Sequence, residues 1–292
     1  MNAIRSELLK IWTTKTWWLL GIGSLALTAF AFLQNAIQGH FELHPDTFSP
    51  PPDADEQTRA QIEQEDAQNQ ANAQLLTTLL RVASNVYTSG QFFGVMFVML
   101  LGAMIVTNEF FHQTATATFL ATPHRTSVIV AKLVAGIFMA VVFWLVTTGL
   151  DLIAGSIFLS SEGRSNVLGE WAVQRSILLN LAAYAAWAVL GVGLGVLLRS
   201  QIATVVTGTV LYLIGTLAAT IVFNLIHEYL IKKDWVLTSQ VIVPAIASQI
   251  MTTPGRLFEH APAQWVGAVV LVGYGVLFGV VGTLITRKRD IS

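Results

Sequence analysis

Seven stretches of the chain carry no Asp, Glu, Lys or Arg: 16–41, 82–108, 133–150, 176–198, 200–227, 235–255 and 260–286. A helix that crosses a bilayer needs about 20 predominantly apolar residues. Six of the runs meet that length, 133–150 once it extends slightly past Lys132 and Asp151. The exception is 235–255, whose uninterrupted apolar core is VIVPAIA (241–247), bracketed by Thr238, Ser239, Gln240, Ser248 and Gln249. That segment predicts an external re-entrant or surface hairpin broken at Pro244, tolerated where protein or water satisfies its backbone. The pattern therefore predicts an all-α polytopic membrane protein with transmembrane helices at 16–41, 89–107, 127–151, 176–198, 201–226 and 262–286.

Ahead of the first run, Ile4, Leu8, Ile11 and Trp12 recur at helical spacing while Arg5, Ser6, Lys10 and Thr13 fall elsewhere. This predicts an N-terminal interfacial helix over 1–15, with Arg5, Lys10 and Lys15 toward anionic headgroups and Trp12, Trp17 and Trp18 at the interface. A frayed start of the first span fits the same pattern. Between the first two runs lies an acidic segment, 42–88. Its Ser49-Pro50-Pro51-Pro52 kink leaves 44–60 unassigned, and 53–70 has the composition of a solvated loop. Helix is expected from about Gln70, where Leu75, Leu79, Val82 and Val86 form a stripe leading into the second span.

Composition agrees with the membrane reading. Charged residues make up 11% of the chain and mean hydropathy is +0.63, against about 25% charged in soluble domains. A net charge of −1 gives no electrostatic footprint for nucleic acid, and the absence of cysteine removes disulfides, zinc-thiolate sites and thiol catalysis. The apolar run from Thr16 is too long for the core of a cleavable signal peptide.

Charge asymmetry orients the chain. With both termini cytoplasmic, inner segments hold Arg5, Lys10, Lys15, Arg125, Lys132, Arg199, Arg287, Lys288 and Arg289, while the outer segments hold most of the acids. A seventh span would put Arg287-Lys288-Arg289 outside, against the positive-inside rule.

Little enzyme chemistry is legible. No G-x-x-x-x-G-K-[ST] is present, so the chain has no phosphate cradle for ATP, and His227-Glu228 lacks the second histidine of H-E-x-x-H. Glycines at 191, 193 and 195, at 275 and 279, and at 90 and 94 predict close helix packing. No Asp, Glu, Lys or Arg is expected at mid-span, which speaks against an ion-coupled carrier.

The polar, threonine-rich island Asn108–Lys132 between the second and third spans stands apart. A short helix over about 111–121 is expected there, ended by Pro123, which pushes Thr122 out of the helical region.

Two motifs carry a family resemblance. Ser6-Glu7-Leu8-Leu9-Lys10 with Thr13-Thr14-Lys15 before Trp17-Trp18 resembles the opening segment of ABC-2 type transporter permeases of the bacterial multidrug, antibiotic and bacteriocin export group. Glu109, Thr114, Leu120, Pro123, Arg125 and Lys132 are similar to that family's E-x-x-x-G-T…L-x-x-P-x-R…K pattern, with Gln113 standing where the family has glycine. The resemblance implies an ABC-2 (type V exporter-like) fold in the cytoplasmic membrane. It implies a permease paired with a second permease subunit, as homodimer or heterodimer, and docked on two ATP-binding cassette subunits. ATP and Mg would be bound by the partner, with no cofactor on this chain. Residues 108–126 would be a cytoplasmic coupling segment, with Glu109, Phe111, Thr114, Leu120, Pro123 and Arg125 at the cassette contact; Arg125 and Lys132 could instead hold phospholipid headgroups. Glu7, Lys10, Trp12 and Lys15 belong to the interfacial helix. By the same analogy a path for a hydrophobic or amphipathic cargo would run at the interface between the two permease subunits, along Phe93 and Phe97 on the second span and Leu213, Thr216 and Thr220 on the fifth. Two rival functions are a self-sufficient channel or secondary carrier, and a non-transporting membrane scaffold or sensor working through its acidic external segment.

Overall fold

The structure, a computed structural model, describes residues 2–45, 51, 55–114, 125–255, 257–258 and 260–288. Every regular element among them is helical. In chain order these are α1 (Asn2–Thr13), α2 (Thr16–Leu43), α3 (Glu56–Ala73), α4 (Leu76–Tyr87), α5 (Gln91–Phe111), α6 (Arg125–Ser161), α7 (Trp171–Leu198) and α8 (Gln201–Leu225). A single π turn (Ile226–Leu230) follows, then α9 (Trp235–Thr238), a 3-10 turn (Ser239–Ile242), α10 (Pro244–Thr252) and α11 (Gln264–Lys288).

Six helices are long and apolar enough to cross a bilayer: Thr16–Leu43, Leu76–Phe111, Thr126–Ser161, Trp171–Leu198, Gln201–Leu230 and Gln264–Val281. The chain is a multi-pass membrane protein by this measure. The 235–252 segment is a bent pair, α9 with its 3-10 turn against α10, folded through 101° at Val243. Pro244 opens α10 at its first turn, where a missing N–H costs nothing.

Helix ends differ from expectation in two informative places. α6 runs to Ser161, ten residues beyond the expected boundary at Asp151, so Lys132 and Asp151 both lie inside a helix. The second difference lies in the segment 42–88, where helix begins earlier than expected. Leu79 packs on Val82, Val86 and Tyr87, which are buried with Leu43, Leu159 and Val173, whereas Leu75 is exposed. α3 starts at Glu56, well before Gln70, because Asp55 caps it through the Thr58 N–H (3.2 Å) and its Glu-, Gln- and Ala-rich sequence has no Gly or Pro.

Asp151 owes its buried place to the break between α4 and α5. Gly90 sits there, its N–H donating to Asp151 Oδ2 (2.8 Å) and its carbonyl accepting from the Tyr184 hydroxyl (3.1 Å). Backbone groups freed inside a membrane bundle must be satisfied by protein. Here a carboxylate carried by the long apolar helix Thr126–Ser161 serves that purpose.

α5 is the axis of the fold. Its buried residues, Val95 and Met99 among them, pack with Met139 of α6 and Tyr184 and Trp187 of α7. α7 presses against it closely: a Cβ on Gly191 would stand 2.0 Å from the Met99 carbonyl oxygen, and one on Gly195 2.7 Å from that of Ala103. Gly193, on another face of α7, allows Phe278 of α11 to approach. At Gly275 and Gly279 a Cβ would meet neighbours only at 4.0 and 3.7 Å. The expected close packing therefore holds at 191–195 and not at 275–279. α2, α8 and α11 are peripheral and present Phe30, Leu33, Ile214, Leu217, Val272 and Val276 outward.

Candidate functional site

α1 is not simply laid on a surface. Ile11 is buried and Leu8 packs on the core, but Glu7 on the same inward side is buried too, at 5% exposure. Glu7 Oε2 accepts from Lys132 Nζ of α6 at 2.7 Å, and Glu7 Oε1 accepts from Lys10 Nζ at 2.7 Å. Glu109, near the end of α5, takes both lysines on Oε1, Lys10 at 2.7 Å and Lys132 at 2.9 Å. Lys132 also donates to the Ile105 carbonyl (3.3 Å). Two carboxylates and two ammonium groups thus close into a neutral quartet that ties three helices together.

The physical balance favours a positioning role. Taking charges out of water costs roughly what their attraction returns, so such a network adds little net stability over apolar packing. It does specify one arrangement, because any displacement of α1 would leave a buried charge unpaired. Burial alone would lower the pKa of Lys10. Its hydrogen bonds to Glu109 and Glu7, with their charges, outweigh that and raise it above the ordinary 10.5.

Beside the quartet lies a cavity of about 320 Å³, lined by Lys10, Thr13, Thr14, Asn108, His112 and Thr114 among others. α5 ends there in a Schellman turn: Thr114 N–H donates to the Glu109 carbonyl (2.9 Å) and Gln113 N–H to that of Phe110 (3.2 Å). Gln113 is left-handed, with φ +56°. A backbone of this kind favours glycine over the glutamine that stands here. Phe110, inside the same turn, lies under the Arg199 guanidinium, 5.5 Å from its ring centre.

The expected site residues divide. Glu7, Lys10 and Glu109 come together, and Phe111 stands exposed at the end of α5. Trp12 and Lys15 stay on the exposed side of the α1–α2 junction, with Trp12 edge-on to Trp17 at 4.3 Å. Leu120, Pro123, the side chain of Arg125 and the short helix expected over 111–121 beyond Thr114 lie outside the described residues. Lys132 does not reach for headgroups: at 2% exposure it points into the protein. Lys10 likewise turns its ammonium to Glu7 and Glu109. Sequence reasoning missed this pairing because Lys132 looked like the boundary of an apolar run.

Within the single chain, the five residues expected along the cargo path have different surroundings. Phe97 stands against Gly23 of α2, and Phe93 and Leu213 pack on the core. Thr220 donates to the Thr216 carbonyl within α8 (3.1 Å). Of the five, Thr216 lines a second cavity of about 360 Å³, with Trp187, Tyr212, Pro244, Tyr274 and Phe278.

No curated protein matches the chain. Residues 64–292 match the family described as Protein of unknown function (DUF2705). The match takes in α4 to α11, with Glu109 and Lys132 inside it and Glu7 and Lys10 ahead of it. Since it extends over well more than half of the sequence, the chain belongs to the DUF2705 family.

Proposed function

We propose that the chain is the membrane-spanning permease subunit of an ATP-binding cassette exporter of the ABC-2 type, with both termini cytoplasmic and with ATP hydrolysed by separate cassette subunits. The observation that carries this reading is the quartet. Glu7 and Lys10 come from one of the two motifs that resemble those permeases, Glu109 and Lys132 from the other, and the fold brings all four into direct contact. A push on the segment after Glu109 would reach α1, α5 and α6 at once through these ion pairs. ATP-driven closure of a partner dimer can in this way bias two arrangements of the spans. The apolar cavity lined by Trp187, Tyr212 and Phe278 suits a hydrophobic or amphipathic cargo.

Coexpression with ATP-binding cassette subunits tests the partnership. The expected result is a copurifying complex that hydrolyses ATP, beside an isolated chain that does not. Sidedness is tested separately. The chain contains no cysteine, so Thr114→Cys gives a unique label site, expected to react only from the cytoplasmic face. Labelling from the exterior would overturn the proposal.

A secondary carrier is the second reading, favoured by buried Asp151 inside a span. It ranks behind because that carboxylate already caps the backbone at Gly90. Gradient-driven flux in vesicles holding this chain alone, abolished by Asp151→Asn, would reverse the ranking.

A further inference from the structure

At the opposite end of the bundle from the quartet, α2 and α6 finish side by side. His40 lies in the last turn of α2 and His44 is the residue that caps it. Their spacing of four places both imidazoles on one helix face. Glu162 is the residue just past the end of α6. His40 Nδ1 is 3.0 Å from Glu162 Oε2 and His44 Nδ1 is 3.1 Å from the same oxygen. All three ligand atoms lie within 4.8 Å of one another.

We propose that His40, His44 and Glu162 form a binding site for a divalent first-row transition metal, zinc foremost, that clips the end of α2 to the end of α6. The inference rests on position and chemistry together. Ligands at about 2.0–2.1 Å around a tetrahedral zinc stand roughly 3.3 Å from each other. The observed separations from the carboxylate need to open by only a few tenths of an ångström. Two imidazoles and one carboxylate suit zinc, leaving a fourth position for water.

The scaffold holds the donors in place. Glu162 N–H donates to the Phe158 carbonyl (3.0 Å), and Gly163 at φ +68° lets Arg164 N–H close on that of Leu159 (2.9 Å). His44 N–H is fixed on the His40 carbonyl (2.9 Å). Both helices offer their C-terminal, partially negative ends to the same point, which favours a cation. The side chains of His40 and His44 are about half exposed, at 55% and 49%, whereas that of Glu162 is 12% exposed. Ions can therefore reach the imidazoles from solvent. The nearby Glu42 is engaged elsewhere, with Arg81 at 3.2 Å and Gln38 at 3.0 Å. The proposal does not depend on the exporter reading.

The test uses the full chain in detergent, freed of affinity tags and of metal, titrated with zinc alone and with cobalt alone. The expected result is one ion per chain, visible cobalt bands of a four-coordinate nitrogen/oxygen site, and a zinc-dependent rise in unfolding temperature. His40→Ala/His44→Ala and, separately, Glu162→Gln should lose the bands and the zinc-dependent rise. Each variant is compared with its own metal-free sample, so a general loss of stability cannot imitate the loss of a site. A wild-type chain that responds to zinc and cobalt no more than the double variant, or a variant that keeps the full response, overturns the proposal.

Discussion

Lys132 Nζ stands 2.7 Å from Glu7 Oε2 across 125 residues of sequence, and at 2% exposure it is sealed from solvent. A buried ammonium in this position has no alternative to its partners. Replacing it with an apolar side chain leaves Glu7 and Glu109 to share Lys10. Lys132→Met should therefore destabilise the fold by about 3–5 kcal/mol, the usual cost of stranding one half of a buried pair. Combining it with Glu7→Gln should restore part of that loss. A double-mutant cycle on thermal unfolding in detergent checks both effects, and simple additivity of the two changes would show that the residues are not coupled.

Lys10 gives the quartet a pH signature. Its folded pKa is raised above 10.5 by Glu109 and Glu7 against the opposing effect of burial. The stabilisation is thus complete below the unfolded pKa and disappears as pH rises through the folded one. The gap in unfolding temperature between wild type and Lys10→Met should be constant near neutrality and should close under strongly alkaline conditions. A gap that widened with rising pH would contradict the pairing.

Gln113 occupies a left-handed conformation that costs an L residue about 1–2 kcal/mol. Gln113→Gly should be tolerated, with an unfolding temperature equal to or above that of wild type. Gln113→Val should lower it, since a β-branched side chain suits this backbone least. The comparison reads out the turn that ends α5, independently of any transport assay.

At Gly191 the limiting factor is space. A methyl there would collide with the Met99 carbonyl of α5, and overpacking of this kind costs about 1–3 kcal/mol or more. At Gly149 of α6 a Cβ would meet nothing within 4 Å, so Gly149→Ala should be neutral or mildly stabilising. Expression level and unfolding temperature of the two alanine variants should separate clearly.

The apolar runs made most of the helices legible, because twenty uncharged residues in a row leave few other folds. Pro244 likewise announced the bend at Val243. What stayed hidden were the charges that interrupt a run without ending it. Lys132 and Asp151 read as boundaries, yet α6 passes through both, since each finds its partner elsewhere in the fold: Glu7 and Glu109 for one, the Gly90 N–H at the α4–α5 break for the other. Local periodicity cannot report a bond that spans 125 residues. Glu7 and Glu109 entered the sequence reading through the two motifs they belong to, and their meeting is a product of the fold.

The length of α6 has a mechanical consequence. Its 37 residues make a rod of about 55 Å, against a hydrocarbon core of roughly 30 Å. Lys132 sits near one tip, while Glu162 follows directly on the other. Tilting such a rod by about ten degrees sweeps one tip past the other by roughly 10 Å, as its rise per residue dictates. Under the exporter proposal, a small change of tilt at the Lys132 end would therefore register as a large displacement beside Glu162.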